Sequence, residues 1–289
     1  MAGLQDIRRR IRSVKNTQQV TKAMKMISAV KLRKSQEALL ALRPYAAKIV
    51  EVVTDVVARA TELGAAGLSP IAGAFLAPRE EKNIRLVVIA SDKGLCGGFN
   101  ANVLKQASAF VAQTGSTIVH LDVVGRRAAE WAKKSRLPVQ GDHQGVALAG
   151  LPDVAERIAA EAARQYEAGE IDALYVIHNY FASAIAQVPT TLRVFPMELK
   201  GEPSASVPAL LEPSPAAVLD ALLPRFIETT LIHALLESSA SEHGARMAAM
   251  DKASTNAEDM IARLTLNMNK LRQASITNQI IEIVSGANA

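Results

Sequence analysis

The residues with the most chemical promise lie between positions 91 and 98: Ser91, Asp92, Lys93, Gly94, Leu95, Cys96, Gly97 and Gly98. They sit between an apolar, β-branched run, Ile84 to Ala90, and a helix predicted from about Ala101 to Gln113. Backbone amides at such a strand-to-helix turn, together with the helix dipole, favour anions, so a phosphate cradle is one reading. The spacing matches neither GxGxxG nor GxxxxGK[ST], and no Ser or Thr follows a Lys to hold Mg²⁺. The plainer reading is a tight turn whose glycines supply positive φ. Cys96 could be a thiolate near a helix start. Its candidate bases, His120, His143, His178, His233 and His243, are all remote in sequence, and a small buried cysteine is the simpler account. The histidines show no HxxxH or HExxH spacing, which leaves metal binding unsupported. Glu80-Glu81 and Glu258-Asp259 fall on a predicted loop and a helix face, where carboxylates are solvated by default. No catalytic, cofactor-binding or metal-binding residue is therefore assigned.

The elements around that loop are predicted from periodicity. Residues 83–196 alternate strand and helix. Strands are expected at 84–90, 117–124, 173–180 and 184–196, the last two as a hairpin through Phe181-Ala182-Ser183. Helices are expected at about 101–113, 126–134 and 152–168. This order implies an α/β domain with a mainly parallel sheet. Residues 64–73, with Gly64, Gly67, Pro70 and Gly73, are expected to be loop.

Both ends of the chain are long helices. From Arg225 to Ala289 there is no proline, and the only glycines are Gly244 and Gly286. A helix of that length could approach ~90 Å and cannot bury itself in its own domain. Residues 3–43 form a second rod, with Ile7, Ile11, Val14, Val20, Met24, Ile27 and Val30 at three- and four-residue steps. Pro44 should break or kink it, with a continuation to Leu63. Met250, Ala253, Ala257, Ile261, Leu264, Met268 and Leu271 recur in heptad-like steps. Antiparallel pairing of the two ends into a coiled coil is expected, the alternative being two helices packed independently on the α/β domain. Past Met260 the apolar side chains occupy more than one face, so that end needs enclosure by something other than a single helix. The expected organisation is a helix over 1–63 with a break near 44, an α/β domain over 80–200, a proline-rich linker over 201–215 and a long helix over 216–289.

Composition narrows the functions. The single cysteine excludes a disulfide within the chain. No apolar run nears the ~18 residues of a membrane span. The start has no apolar h-region, so a secretory signal is not expected. Residues 1–43 hold eleven Lys or Arg against Asp6 and Glu37, which calls for an acidic partner. Nucleic acid is one such partner, but aromatics for base stacking are absent before Tyr45, and none is expected.

Residues 7–36 (IRRRIRSVKNTQQVTKAMKMISAVKLRKSQ), 91–100 (SDKGLCGGFN) and 272–287 (RQASITNQIIEIVSGA) together resemble the γ-subunit family of F-type ATP synthases, in a bacterial form. Residues 241–257 resemble it too, and the likeness spans nearly the whole chain in order. The resemblance implies a rotor shaft: an antiparallel coiled coil with an inserted Rossmann-like α/β domain. Its implied partners are the α3β3 hexamer around the coiled coil, the ε subunit and the membrane c-ring. It implies a peripheral position on the cytoplasmic face of the bacterial inner membrane, and no catalysis by the chain itself. The family's coupling contacts match Lys22, Met24 and Lys25 on the first helix, and Arg246, Arg272, Gln273, Thr277 and Glu282 on the last. The family ending usually carries Glu where this chain has Gln279. The competing reading of the strand–turn–helix unit is a soluble nucleotide-binding α/β enzyme with a coiled-coil arm.

Overall fold

One seam runs the length of the first helix. Leu4, Ile7, Ile11, Val14, Gln18, Thr21, Lys25, Ser28, Leu32, Ser35, Leu39, Leu42, Ala46, Ile49, Val53, Val56 and Ala60 alternate three- and four-residue steps, and none is fully exposed. That spacing keeps one stripe facing a partner helix over many turns. It belongs to α1 (Ala2–Glu62), and the partner is α6 (Pro215–Ala287). These features come from a computed structural model, which describes residues 2–62, 68–76, 79–115, 117–197 and 211–287, without the side chains of 2, 3, 70, 71, 282 and 284–287.

The hydrogen bonds Ser35–Ser239 (3.0 Å), Lys25–Asp251 (2.6 Å) and Thr21–Ser254 (2.7 Å) fix an antiparallel register. Carried upward in the same steps, Leu4 comes level with the neighbourhood of Leu271. The expected apolar stripe is therefore corrected in the middle of α1. Val20, Ile27 and Val30 are each 58% exposed, while Gln18, Thr21, Ser28 and Ser35 turn inward. Small hydroxyl side chains let the helices approach and bond across the seam, which larger aliphatic groups would hold apart. On α6, Ser254 is buried more deeply than Ala253, and Leu271 is exposed.

Pro44 does not break α1, which stays helical to Glu62. Proline removes one N–H, freeing the Leu40 carbonyl, but Leu40 and Pro44 both face solvent, and the seam holds the helix to α6 on both sides. Pro224 likewise lies exposed inside α6, which begins nine residues earlier at Pro215.

The inserted domain contains α2 (Pro70–Leu76), β1 (Asn83–Ile89), α3 (Phe99–Gln113), β2 (Thr117–Val124), α4 (Arg126–Ser135), β3 (Val139–His143), α5 (Leu151–Glu167), β4 (Ala173–Phe181) and β5 (Gln187–Phe195). Among the described residues the sheet order is β3-β2-β1-β4-β5, parallel except for the β4–β5 hairpin. Alternation along β1 divides the core. Ile84, Leu86 and Val88 pack under α3 and α4, while Val87 and Ile89 face α5 and the α1–α6 pair. The coiled coil thus supplies the third layer of the domain.

One α-helix and one strand were absent from the sequence expectation, as was the 3-10 turn Leu148–Gly150. Residues 70–76 are helical rather than loop, with Pro70 at the first position, where its missing N–H costs nothing. Strand β3 is short, polar and at the sheet edge, so it carries no apolar signal. Gly64 and Gly67 and most of the linker, 201–210, lie outside the described residues. Gly125 (φ 88°) is required between β2 and α4, since a Cβ there would stand 2.3 Å from the Ala90 carbonyl oxygen.

Candidate functional site

The 91–98 loop is fastened from within. The Ser91 hydroxyl donates to the Lys93 carbonyl (2.6 Å), and Asn100 Nδ2 lies 2.8 Å from Ser91 Oγ and 3.2 Å from Cys96 Sγ. Leu95 (φ 62°) and Gly97 (φ 58°) make the left-handed turn. Cys96 is buried with Phe99 and Ala245, and none of the described hydrogen bonds joins it to a histidine.

The polarity of this loop decides between the two chemical readings. Arg246 on α6 donates to the carbonyls of Lys93 (3.0 Å) and Gly94 (3.3 Å). An anion cradle needs amides pointing into the site; here carbonyls receive a cation. Arg246 also pairs with Glu242 at 2.7 Å and donates to His243 Nδ1 at 3.3 Å. Burial, reinforced by the Arg246 and Lys31 charges, pushes His243 down to about 4, so it stays neutral and can accept that bond. Burial pushes Glu242 up, against the pull of Arg246. The loop is thus a fastener between the inserted domain and α6.

The other residues singled out from sequence divide by height. Lys22 is exposed, Met24 is half-buried, and Lys25 holds Asp251 across the seam. That ion pair is largely solvent-exposed, so it contributes at most about 1 kcal/mol. Arg246 is buried in the network just described, which its sequence position alone does not reveal. Arg272 and Gln273 are exposed on α6 level with the start of α1, Thr277 and Gln279 are exposed beyond it, and Thr277 donates back to the Gln273 carbonyl at 3.0 Å. The Glu282 side chain lies outside the described set. Ile276, Ile280, Ile281 and Ile283 are exposed at the same height, the last by 70%.

Two buried polar clusters carried no sequence signal. Arg85 on β1 grips Asp122 on β2 through two bonds (2.7 and 3.0 Å) and donates to Gln165 on α5 at 2.6 Å. Burial raises the Asp122 carboxyl even against this cation, and burial lowers His143, which stands 4.0 Å from it. Gly141 makes room, because a Cβ there would lie 2.2 Å from Asp122 Oδ1. On the same face of the sheet, further toward α6, His178 Nε2 lies 3.1 Å from Glu237. Both clusters join elements far apart in sequence, which spacing cannot foresee.

Among the described residues no His, Cys, Asp and Glu group could hold a metal ion, and no helix is long and apolar enough to cross a membrane. A family model described as ATP synthase matches residues 3–289. An ATP synthase gamma chain of Solibacter usitatus (strain Ellin6076) is 47% identical over 289 residues, covering 100% of this chain and 99% of that one. One from Anaeromyxobacter sp. (strain Fw109-5) is 44% identical over 293 residues, with the same coverage. Among solved structures, a chain of the Euglena gracilis mitochondrial ATP synthase OSCP/F1/c-ring assembly in rotational state 3 superposes with a TM-score of 0.65 at 17% identity, covering 100% of this chain and 94% of that chain. A chain of the Tetrahymena thermophila mitochondrial ATP synthase central stalk/c-ring gives 0.58 at 23% identity, covering 81% and 99%. These structural likenesses establish the shared fold.

Proposed function

We infer the function from one premise: the chain belongs to the ATP synthase gamma-chain family, in its bacterial form. It is the central rotor shaft of an F-type ATP synthase, and the nucleotide chemistry belongs to other subunits. Its partners are the α3β3 hexamer around the coiled coil, the ε subunit and the c-ring. The observation that carries the mechanical reading is the exposed apolar end of α6, which no other described element covers. A helix end apolar on several faces is stable in water only when a partner encloses it. An enclosing sleeve with few fixed polar contacts permits turning.

The lower shaft carries the load differently. The inserted domain is packed onto α1 and α6 through one continuous core, so a twist applied to the domain passes to both helices. The lysine-rich side of α1, including Lys22 and Lys25, would face acidic segments of the surrounding ring. Met24 lies half-buried beside them. Arg246 acts through the loop it fastens rather than by direct contact. Arg272, Gln273, Thr277, Gln279 and Glu282 would supply the polar contacts at the top. The shaft works at the cytoplasmic face of the inner membrane, peripheral to it, and couples proton-driven c-ring rotation to ATP synthesis or hydrolysis.

Purification from native membranes through a tag on this chain tests the reading. Recovery of α and β in equal amounts, each threefold over this chain, is expected; a lone monomer would refute it. At the top, an amide at Gln279 still donates and accepts hydrogen bonds. Gln279→Glu should leave ATP-driven proton pumping within about twofold of the parent. A large gain in coupling would show that the amide falls short of a carboxylate.

A further inference from the structure

A cleft of about 670 Å³ opens between α1, α6 and the C-terminal ends of β1 and β2. Small-molecule sites fall in this size range, and the carboxyl ends of parallel strands are where α/β sheets hold ligands. Its floor is apolar, formed by Ile89, Val124, Leu148, Leu151 and Leu235. Its charged lining is unevenly satisfied. Asp92 already accepts the amides of Arg126 and Gly145, both at 3.0 Å, and Glu242 is held by Arg246. Lys31 and Lys34, one turn apart on α1, also line the cleft, and neither has an ion-pair partner among the described residues. Lys31 acts through space on Glu242 and His243, which places its charge over the cleft.

We propose that this cleft binds a small amphipathic anion, with a carboxylate, sulfonate or phosphate group against Lys31 and Lys34 and an apolar body on the floor below. The two acids of the lining are committed to other donors, so the charge left for a ligand is positive. The ligand touches α1, α6 and the inserted domain at once, and its occupancy therefore ties the coil more tightly to the domain. Residues 92–95 of the 91–98 turn form one wall of the cleft, but the carbonyls of Lys93 and Gly94 are taken by Arg246, so the anion is held from the α1 side. The site does not depend on the rotor reading.

The test uses the purified full chain and 8-anilinonaphthalene-1-sulfonate, followed by fluorescence titration, with circular dichroism melting to confirm folding of each variant. One saturable site is expected. Lys31→Glu/Lys34→Glu should weaken binding by about tenfold or more, since two attractive charges become repulsive. Leu148→Trp should remove the site by filling its floor. Arg33→Glu, on the same helix but paired with Glu37, should leave affinity within about twofold. Unchanged affinity in the double lysine variant would overturn the proposal. Equal loss in Arg33→Glu would overturn it too, because the effect would then follow net charge rather than the cleft. Signal that survives both Leu148→Trp and the lysine changes would assign the dye to the exposed apolar end of α6 and sink the site.

Discussion

Between Leu219 and Arg246, α6 is buried by α1 on one side and by the inserted domain on the other; past Leu271 the same helix turns Ile276, Ile280, Ile281 and Ile283 to solvent. Composition does not separate the two lengths, since both are rich in aliphatic residues. What separates them is where their partners come from. The lower length finds its cover inside the chain, through Leu223, Ile227, Leu231 and Leu235 against the sheet, α5 and α1. The upper length must find its cover in other chains. Local stability of the free chain should therefore fall from base to tip.

Three experiments can break or sharpen this contrast. The largest effect is expected at the fastener. Arg246→Ala strands Glu242 and frees the 91–98 turn, and should cost about 4 kcal/mol in urea unfolding. A loss below about 1 kcal/mol would show that the turn and α6 are joined by packing alone. Next comes a matched pair on one helix. Leu231→Ala, at a position 1% exposed, should cost about 3 kcal/mol by opening a cavity. Ile280→Ala should change the isolated chain by less than about 0.5 kcal/mol, yet weaken assembly with the surrounding subunits. Equal costs at the two positions would erase the distinction between base and tip.

A smaller effect than the loss of Arg246 or Leu231 is a pH dependence confined to the base. His243 has a folded pKa of about 4, below its ordinary value of 6.5. The unfolded chain therefore takes up the proton first as pH falls. The stabilisation is complete above about 6.5 and is lost as pH drops through about 4. Discounted for partial solvent access, it amounts to roughly 1–2 kcal/mol. Melting temperature followed from pH 7 to 4 should fall less steeply in His243→Gln than in the parent. Parallel curves would place the acid sensitivity elsewhere, for example among the carboxylates.

Much of this architecture was legible in the sequence, and the failures have physical causes. Strand β2 has its predicted limits, and β1 and β4 lie within a residue of theirs, because short stretches rich in apolar and β-branched residues mark buried strands even where a polar residue interrupts them. The stripe on α1 misled in its middle. Aliphatic periodicity marks a seam only where the seam is aliphatic, and there the inward places belong to Gln18, Thr21, Ser28 and Ser35. Val20, Ile27 and Val30 keep helical spacing but face outward. Strand β3 exists because it completes an edge and lets Gly141 cap the Asp122 pocket, which is a tertiary reason. The role of Arg246 was hidden for the same cause: its acceptors lie some 150 residues away in sequence.

The unequal lengths of α1 and α6 have an elastic consequence. Two helices locked along a seam resist bending as a single thick beam, whereas one helix bends as a thin one. From base to tip the molecule is therefore a tapered spring, stiff where the inserted domain grips it and compliant where α6 continues alone. A load applied at the base is delivered to the tip as stored flexure as well as rotation, which smooths any stepwise drive into a steadier push.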